Sequence, residues 1–168
     1  MASELRIDKI VPTGGVPTGG GGGIIQIKQG IITAPVSTGT SGSFTDTGLS
    51  ATITPTFNTS KVFCMVSLGS ISATAGTSTG FRLVRGSTNI GMPDSTSLQS
   101  GFTNIYDADQ QILASANFNF LDSPATTSSI TYKVTWRNSG NTTWLGRYAG
   151  SSTDYNGVST LILMEVSA

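Results

Sequence analysis

The fold class is decided by the stretch Ile130-Thr-Tyr-Lys-Val-Thr-Trp-Arg137, which carries the strictest two-residue alternation in the chain. Ile130, Tyr132, Val134 and Trp136 fall on one side of an extended strand, and Thr, Lys, Thr and Arg fall on the other. Successive side chains of a β-strand point to opposite faces. The pattern therefore predicts a strand with one face in a hydrophobic core and one face toward water.

Shorter stretches of the same kind recur on both sides of this segment, separated by turns rich in Gly, Ser, Thr, Asn and Pro. Further strands are predicted over residues 24–28, 49–54, 61–68, 81–85, 112–121 and 158–166. Residues 93–110 are predicted to form a long loop, and Ile112 is expected on an inward face. No window keeps a 3.6-residue period. We therefore predict an all-β fold, an antiparallel β-sandwich that is jelly-roll-like.

Two of the predicted strands are apolar on both faces. In residues 61–68, one face carries Val62, Cys64, Val66 and Leu68, and the other carries Phe63 and Met65. In residues 158–166, one face carries Val158, Ile162, Met164 and Val166, and the other carries Leu161 and Leu163. One sandwich core covers only one face of a strand, so the second apolar face indicates burial against neighbouring copies. A homotrimer is the expected assembly.

An extended arm, residues 1–23, precedes the predicted sandwich domain, residues 24–168. The arm contains Val-Pro-Thr-Gly-Gly twice in succession, and residues 19–23 are all Gly. Such a tract has few side chains to pack, so we expect it to become ordered only on a partner. The residues expected to anchor it, as a strand added to a partner's sheet edge, are Leu5, Ile7, Ile10 and Val11.

The composition excludes several classes of function. Lys and Arg together number nine, as do Asp and Glu, so no charge excess indicates nucleic acid, and no apolar run is long enough for membrane insertion. The chain has no His, which excludes Ser-His-Asp and Cys-His catalysis. Its single Cys, Cys64, lies in an apolar run and is expected to be a buried hydrophobe. We expect no enzyme, no cofactor and no metal; for Asp107 and Asp109, a solvated loop is favoured over a calcium site.

An aromatic cluster lies in residues 140–157, which are predicted to form a loop. It contains Trp144, Tyr148 and Tyr155, with Arg147 among them. Aromatic faces beside guanidinium donors suit carbohydrate, because sugar C–H groups stack on rings while hydroxyls take the hydrogen bonds. The alternative, which the pattern favours, is that Trp144 and Tyr148 close the core or a subunit interface.

Four segments resemble a family of small structural proteins of tailed bacteriophages, especially those that infect cyanobacteria and other aquatic hosts. They are Leu5-Arg-Ile-Asp-Lys-Ile-Val-Pro-Thr13 with the Gly-Val-Pro-Thr-Gly-Gly that follows, Phe81-Arg-Leu-Val-Arg-Gly-Ser-Thr88, Phe120-Leu-Asp-Ser-Pro-Ala-Thr126 with Thr131-Tyr-Lys-Val134, and Gly157-Val-Ser-Thr-Leu-Ile-Leu-Met-Glu165. They span nearly the whole chain, and the first and last are the most specific. The resemblance implies a virion protein, usually a trimer, whose arm anchors it and whose β-domain projects outward.

The predicted function is therefore that of a short homotrimeric tail fibre. The arm would dock on the baseplate or tail, and loops near residues 71–79, 93–109 and 140–156 would contact the host surface, with a surface glycan as a candidate ligand. The expected location is the virion, after assembly in the host cytoplasm. The main alternative is a capsid decoration or cement protein whose arm clamps capsid subunits. A polysaccharide depolymerase is a third, disfavoured by the small domain.

Overall fold

A computed structural model describes residues 23–94, 100–110, 112–151 and 153–167, and these residues form an all-β fold. The strands in these residues are β1 (Ile24–Ile32), β2 (Val36–Thr38), β3 (Thr45–Ile53), β4 (Lys61–Ala73), β5 (Thr77–Arg85), β6 (Thr88–Ile90), β7 (Thr103–Asp107), β8 (Ala114–Asp122), β9 (Ile130–Asn138), β10 (Thr143–Leu145) and β11 (Ser159–Val166). The described ranges contain no helix long and apolar enough to cross a membrane.

The strands form two antiparallel sheets. The first has the order β1-β11-β4-β8, and the short strands β10 and β2 continue it beside the far end of β4. The second has the order β3-β9-β5-β7, with β6 also paired to β5. The chain passes from one sheet to the other between most successive strands, which is the arrangement of a jelly roll. The predicted antiparallel β-sandwich is confirmed.

The core lies between the two sheets and is built from the alternating positions that the sequence predicts. Tyr132, Val134 and Trp136 of β9 are buried there, opposite the inward side chains of β4 and β11. Cys64 is also buried, and this burial, with the negative charge of Asp122, raises the pKa of its thiol to about 12. The burial of Cys64 confirms its prediction as a buried hydrophobe. A thiol that is so rarely ionised is also a poor nucleophile.

Three local predictions are wrong. Residues 93–110 are not one long loop, because β7 lies within them and pairs with β5. Residues 140–157 likewise contain β10. Ile112 is not inward: it precedes β8 and is exposed. It lies just before the strand begins, where the alternation of the strand no longer directs the side chain inward.

Four connections between strands meet at one end of the sandwich, here called the loop end. They are the β1–β3 connection with β2, the β4–β5 turn, the β7–β8 connection, and the β9–β11 connection with β10. The backbone hydrogen bonds that join them run from Thr74 N to Thr142 O (2.9 Å), from Gly76 N to Asp107 O (2.7 Å) and from Asn138 N to Thr40 O (3.2 Å). Segments distant in sequence therefore form one continuous surface.

The opposite end, here called the arm end, is where residues 1–22 join the sandwich. Gly23 O accepts a hydrogen bond of 3.1 Å from Ser167 N, next to the paired Ile24 and Val166. Val166 also pairs with Lys61, the first residue of β4, whereas Ala73, its last residue, pairs with Thr143 at the loop end. Strand β4 thus spans the whole distance between the two ends, at most about 40 Å for thirteen residues, since Ser70 interrupts the extended backbone with a positive φ of 52°.

Candidate functional site

The short strand β10 places Trp144 on the outer surface near the loop end. Trp144 pairs with Ser72 of β4 on one side and with Ser37 of β2 on the other. Its neighbours Thr143 and Leu145 are buried on the inner face, so the indole points to the outer face and is half-buried. Trp144 therefore does not close the core between the two sheets.

The chain turns sharply after β10, and this turn brings Arg147 back over Trp144. Gly146 has a positive φ of 94°, a conformation that glycine adopts readily, and its N–H donates to Ser70 O at 3.0 Å. Ser72 Oγ donates a 2.8 Å hydrogen bond to the carbonyl of Arg147 and fixes the backbone there. The carbon of the guanidinium lies 4.9 Å from the centroid of the indole, within the range of a cation–π contact.

The guanidinium of Arg147 has unused hydrogen-bonding capacity. Its Nε is buried and has no hydrogen-bond partner among the described residues, so only its terminal Nη groups could donate to a ligand. A guanidinium offers five N–H donors in a fixed plane, and stacking on a ring engages its face while leaving those donors in the plane. The Trp144–Arg147 pair thus combines an aromatic face with donors suited to hydroxyl or carboxylate oxygens.

Tyr148 and Tyr155 form a second aromatic pair in the same connection. Their ring centroids are 5.7 Å apart at an interplanar angle of 80°, an edge-to-face contact. The hydroxyl of Tyr148 donates a 2.7 Å hydrogen bond to Gln110 O and so ties the β9–β11 connection to the β7–β8 connection. Tyr155 is 65% exposed, and its φ of 61° lies in the left-handed region that bulky residues rarely adopt.

The structure therefore brings the four predicted contact residues, Trp144, Arg147, Tyr148 and Tyr155, into two adjacent pairs at the loop end. Of the predicted loops, 71–79 and 140–156 and the last residues of 93–109 also meet there, although each loop contains strand residues. Their role as receptor contacts stays a prediction. Sequence reasoning missed Ser72 and Gln110. The hydroxyl of Ser72 donates to the backbone carbonyl of Arg147, and the backbone carbonyl of Gln110 accepts from Tyr148, so both contacts join residues that are far apart along the chain.

The two carboxylates considered for calcium are placed differently by the structure. Asp107 is buried at the end of β7, and its Oδ2 accepts a hydrogen bond of 3.4 Å from Ala73 N. Asp109 is exposed. Within the described ranges, no group of three or more His, Cys, Asp or Glu side chains is arranged to hold a metal ion. Asp107 accordingly has a structural role, holding the β7–β8 connection against the end of β4.

The anchoring residues Leu5, Ile7, Ile10 and Val11 lie outside the described residues, and their role stays a prediction. No protein-family model matches the chain, and no curated protein matches it.

Proposed function

We propose that this protein is a virion structural protein of a tailed bacteriophage and acts as a short homotrimeric tail fibre. The arm, residues 1–23, would dock on the baseplate or tail, and the loop end would contact the host surface. The observation that supports this most is that the arm and the aromatic pairs lie at opposite ends of the sandwich. Gly23 joins the arm at one end, and Trp144 lies at the other.

This arrangement matters because a protein held by its arm would present the loop end away from the anchor. The strand β4 sets that separation at up to about 40 Å, so bound virion proteins at the arm end would not cover the aromatic pairs. An anchored fibre that reads a surface needs this separation of docking from recognition.

The proposed ligand class is a glycan of the host surface. The half-buried indole of Trp144 would stack on the C–H groups of a sugar ring with the part of the ring that Arg147 leaves uncovered, and the guanidinium of Arg147 would donate to hydroxyl or carboxylate oxygens. Tyr155 would add a second exposed aromatic face in the same connection.

The test compares binding of purified protein to host cells for Trp144→Ala and Phe57→Ala. Phe57 is an exposed aromatic residue in the β3–β4 connection at the arm end, so its variant is a matched control. We expect Trp144→Ala to reduce binding at least about tenfold, as truncation of one aromatic anchor does at an interface. Phe57→Ala should bind like the wild type. Equal binding by both variants would contradict the proposed recognition site.

The location of the protein in particles separates the fibre from a capsid decoration protein. Imaging of particles with and without the protein should show added density on the tail, with the arm entering the baseplate. Density spread over the capsid lattice would contradict the proposed tail fibre. It would instead support a capsid cement protein, in which the same arm would clamp neighbouring capsid subunits.

A further inference from the structure

The outer face of the sheet β1-β11-β4-β8 carries a row of four large apolar side chains, one from each strand. Ile27 pairs with Met164, Met164 with Phe63, and Phe63 with Leu121. Residues directly opposite each other on adjacent strands project from the same face. With strands about 4.8 Å apart, the row crosses the whole sheet, a width of about 14 Å.

The rows on either side extend this apolar surface. Toward the arm end, Ile24 pairs with Val166. Toward the loop end, Ile162 pairs with Met65 in a row that also holds Gln29 and Asn119, and Ile31 follows in the next row, opposite Thr160. We call the surface formed by the nine apolar residues of these rows the apolar face. Its most exposed members are Ile24 (56%), Ile27 (56%), Ile31 (55%) and Leu121 (49%). Together the nine leave on the order of 400–600 Å² of apolar area in contact with water, the upper end of what monomeric proteins expose.

The outer face of the other sheet is different. There Thr52 lies opposite Thr131 with a 2.8 Å hydrogen bond between their hydroxyls, and Lys133 forms an ion pair of 2.9 Å with Asp46. Asn104 of β7 is exposed on the same face. The molecule therefore has one outer face suited to water and one that is not.

We infer that the apolar face is buried against a further copy of this chain. This inference rests on the trimer of the proposed function and deepens it by naming the surface through which copies meet. Its exposed apolar area is about half to three-quarters of the roughly 800 Å² that each partner contributes to a stable interface, and the rest of such an interface is polar. The only charged side chain in these rows is Lys61, at their margin beside Val166. A surface with one charge at its margin gives a charged partner little to complement, whereas an apolar surface can be buried against further copies of the same chain arranged around a common axis.

The point where the arm joins supports the same occupant. The apolar face begins at Ile24, the residue after Gly23, so copies arranged around an axis parallel to the strands of this face would have their arms side by side at one end. Docking by several adjacent arms raises the effective concentration of each for its site, which strengthens anchoring without any new contact.

Sedimentation velocity of the full chain at 1–50 μM tests the inference. We expect the wild type to sediment as an oligomer and the double variant Ile27→Asp/Leu121→Asp to sediment as a folded monomer, since each charge would have to be buried without a partner. The matched control is Thr52→Asp, on the polar outer face, which should keep the wild-type sedimentation. Circular dichroism reports whether each variant is folded.

Should the Asp variant fail to fold, Ile27→Thr/Leu121→Thr poses the same question with residues that favour β-strands. A wild type that is monomeric at 50 μM, or a folded double variant that assembles like the wild type, would overturn the inference. A dimer lost in the double variant would support the apolar face as the interface while removing the trimer from the proposed function. Neither result depends on whether the protein sits on tail or capsid, which imaging decides separately.

Discussion

The hydroxyl of Tyr132 donates a 2.6 Å hydrogen bond to Oδ2 of Asp122, and the two residues belong to different sheets of the sandwich. Arg85, which neighbours Tyr132 across β5 and β9, donates from Nη1 to both carboxylate oxygens of Asp122 at 2.8 and 2.9 Å. Burial, the hydrogen bond and the charge of Asp122 raise the pKa of Tyr132. One carboxylate thus links the two sheets at the arm end.

Removal of Asp122 is expected to cost more than removal of the hydroxyl of Tyr132. Asp122→Ala should lower the free energy of unfolding by about 2–4 kcal/mol, because Tyr132 and Arg85 both lose their acceptor in a largely buried place. Tyr132→Phe should cost about 1 kcal/mol, since Arg85 still satisfies the carboxylate. Urea unfolding followed by fluorescence measures both.

The matched control for Asp122 is Asp46→Ala, which breaks the exposed ion pair with Lys133. Surface pairs contribute at most about 1 kcal/mol, so this variant should be close to the wild type. Equal losses for Asp122→Ala and Asp46→Ala would show that the link between the sheets does not stabilise the fold.

Acid is expected to destabilise the protein partly through Glu165, which is buried on the inward side of β11. Burial raises the pKa of Glu165, but hydrogen bonds from Gln26 Nε2 (2.6 Å) and from the backbone N–H (2.6 Å) and hydroxyl of Thr56 outweigh it and lower the pKa below the usual 4.5. The folded state therefore binds fewer protons than the unfolded chain, and stability falls as the pH drops from about 4.5 through the lowered pKa.

Glu165→Gln tests this pH dependence, because the amide cannot titrate. At pH 7 the variant should be less stable than the wild type by about 1–3 kcal/mol, and this difference should shrink as the pH falls below 4.5. Urea midpoints between pH 3 and pH 7 give both curves. Parallel curves for variant and wild type would rule out a contribution of Glu165 to acid unfolding.

A single methyl group at Gly30 should disturb the contact between the edges of the two sheets. A Cβ on Gly30 of β1 would overlap the carbonyl oxygen of Ser50 in β3, a backbone atom that cannot rotate away. Gly30→Ala should therefore lower the free energy of unfolding by about 1–3 kcal/mol. Gly39→Ala, where a Cβ meets open space, is the control and should stay within about 0.5 kcal/mol of the wild type. Identical thermal midpoints for the two variants would contradict the close approach.

Substitution of Arg147 by Lys should separate the effect of charge from that of stacking. Lys keeps the positive charge but lacks the planar guanidinium that lies over Trp144, so host-cell binding should fall about five- to tenfold. Arg82→Lys is the matched control, because Arg82 stacks on Phe44, 3.6 Å from the ring centroid, on the other sheet. If Arg147→Lys binds host cells as well as Arg82→Lys, the stacked pair does not form part of the recognition site.

The strands whose inward faces are strictly apolar were predictable from the sequence. Leu49, Ala51 and Ile53 of β3 repeat every second residue and are all buried, as in β9. Strand β7 was not predictable, because Ile105 is its only apolar residue facing inward and its pairing with β5 supplies the rest of its stability. Short polar strands depend on partners that alternation cannot reveal.

The candidate site, too, was only partly predictable from the sequence. Trp144 and Arg147 are three residues apart, so their proximity was visible in the sequence, and so was a local aromatic cluster. The hydrogen bond from Tyr148 to Gln110 spans 38 residues, and the bond from Gln26 to Glu165 spans 139. Contacts of this length follow from the jelly-roll order of the strands, which no local pattern encodes.

The pairing of β1 with β11 has a consequence for the synthesis of the protein. Within the described residues, β1 hydrogen-bonds in a sheet only to β11, so the first strand lacks its partner until the last has left the ribosome. At about 5–20 residues per second, the wait is on the order of 10 s. During that interval the nascent Ile24, Ile27 and Ile31 have an unpaired strand edge beside them, which favours association with other nascent chains. Copies translated from one polysome would then meet through the same side chains that the proposed oligomer would bury.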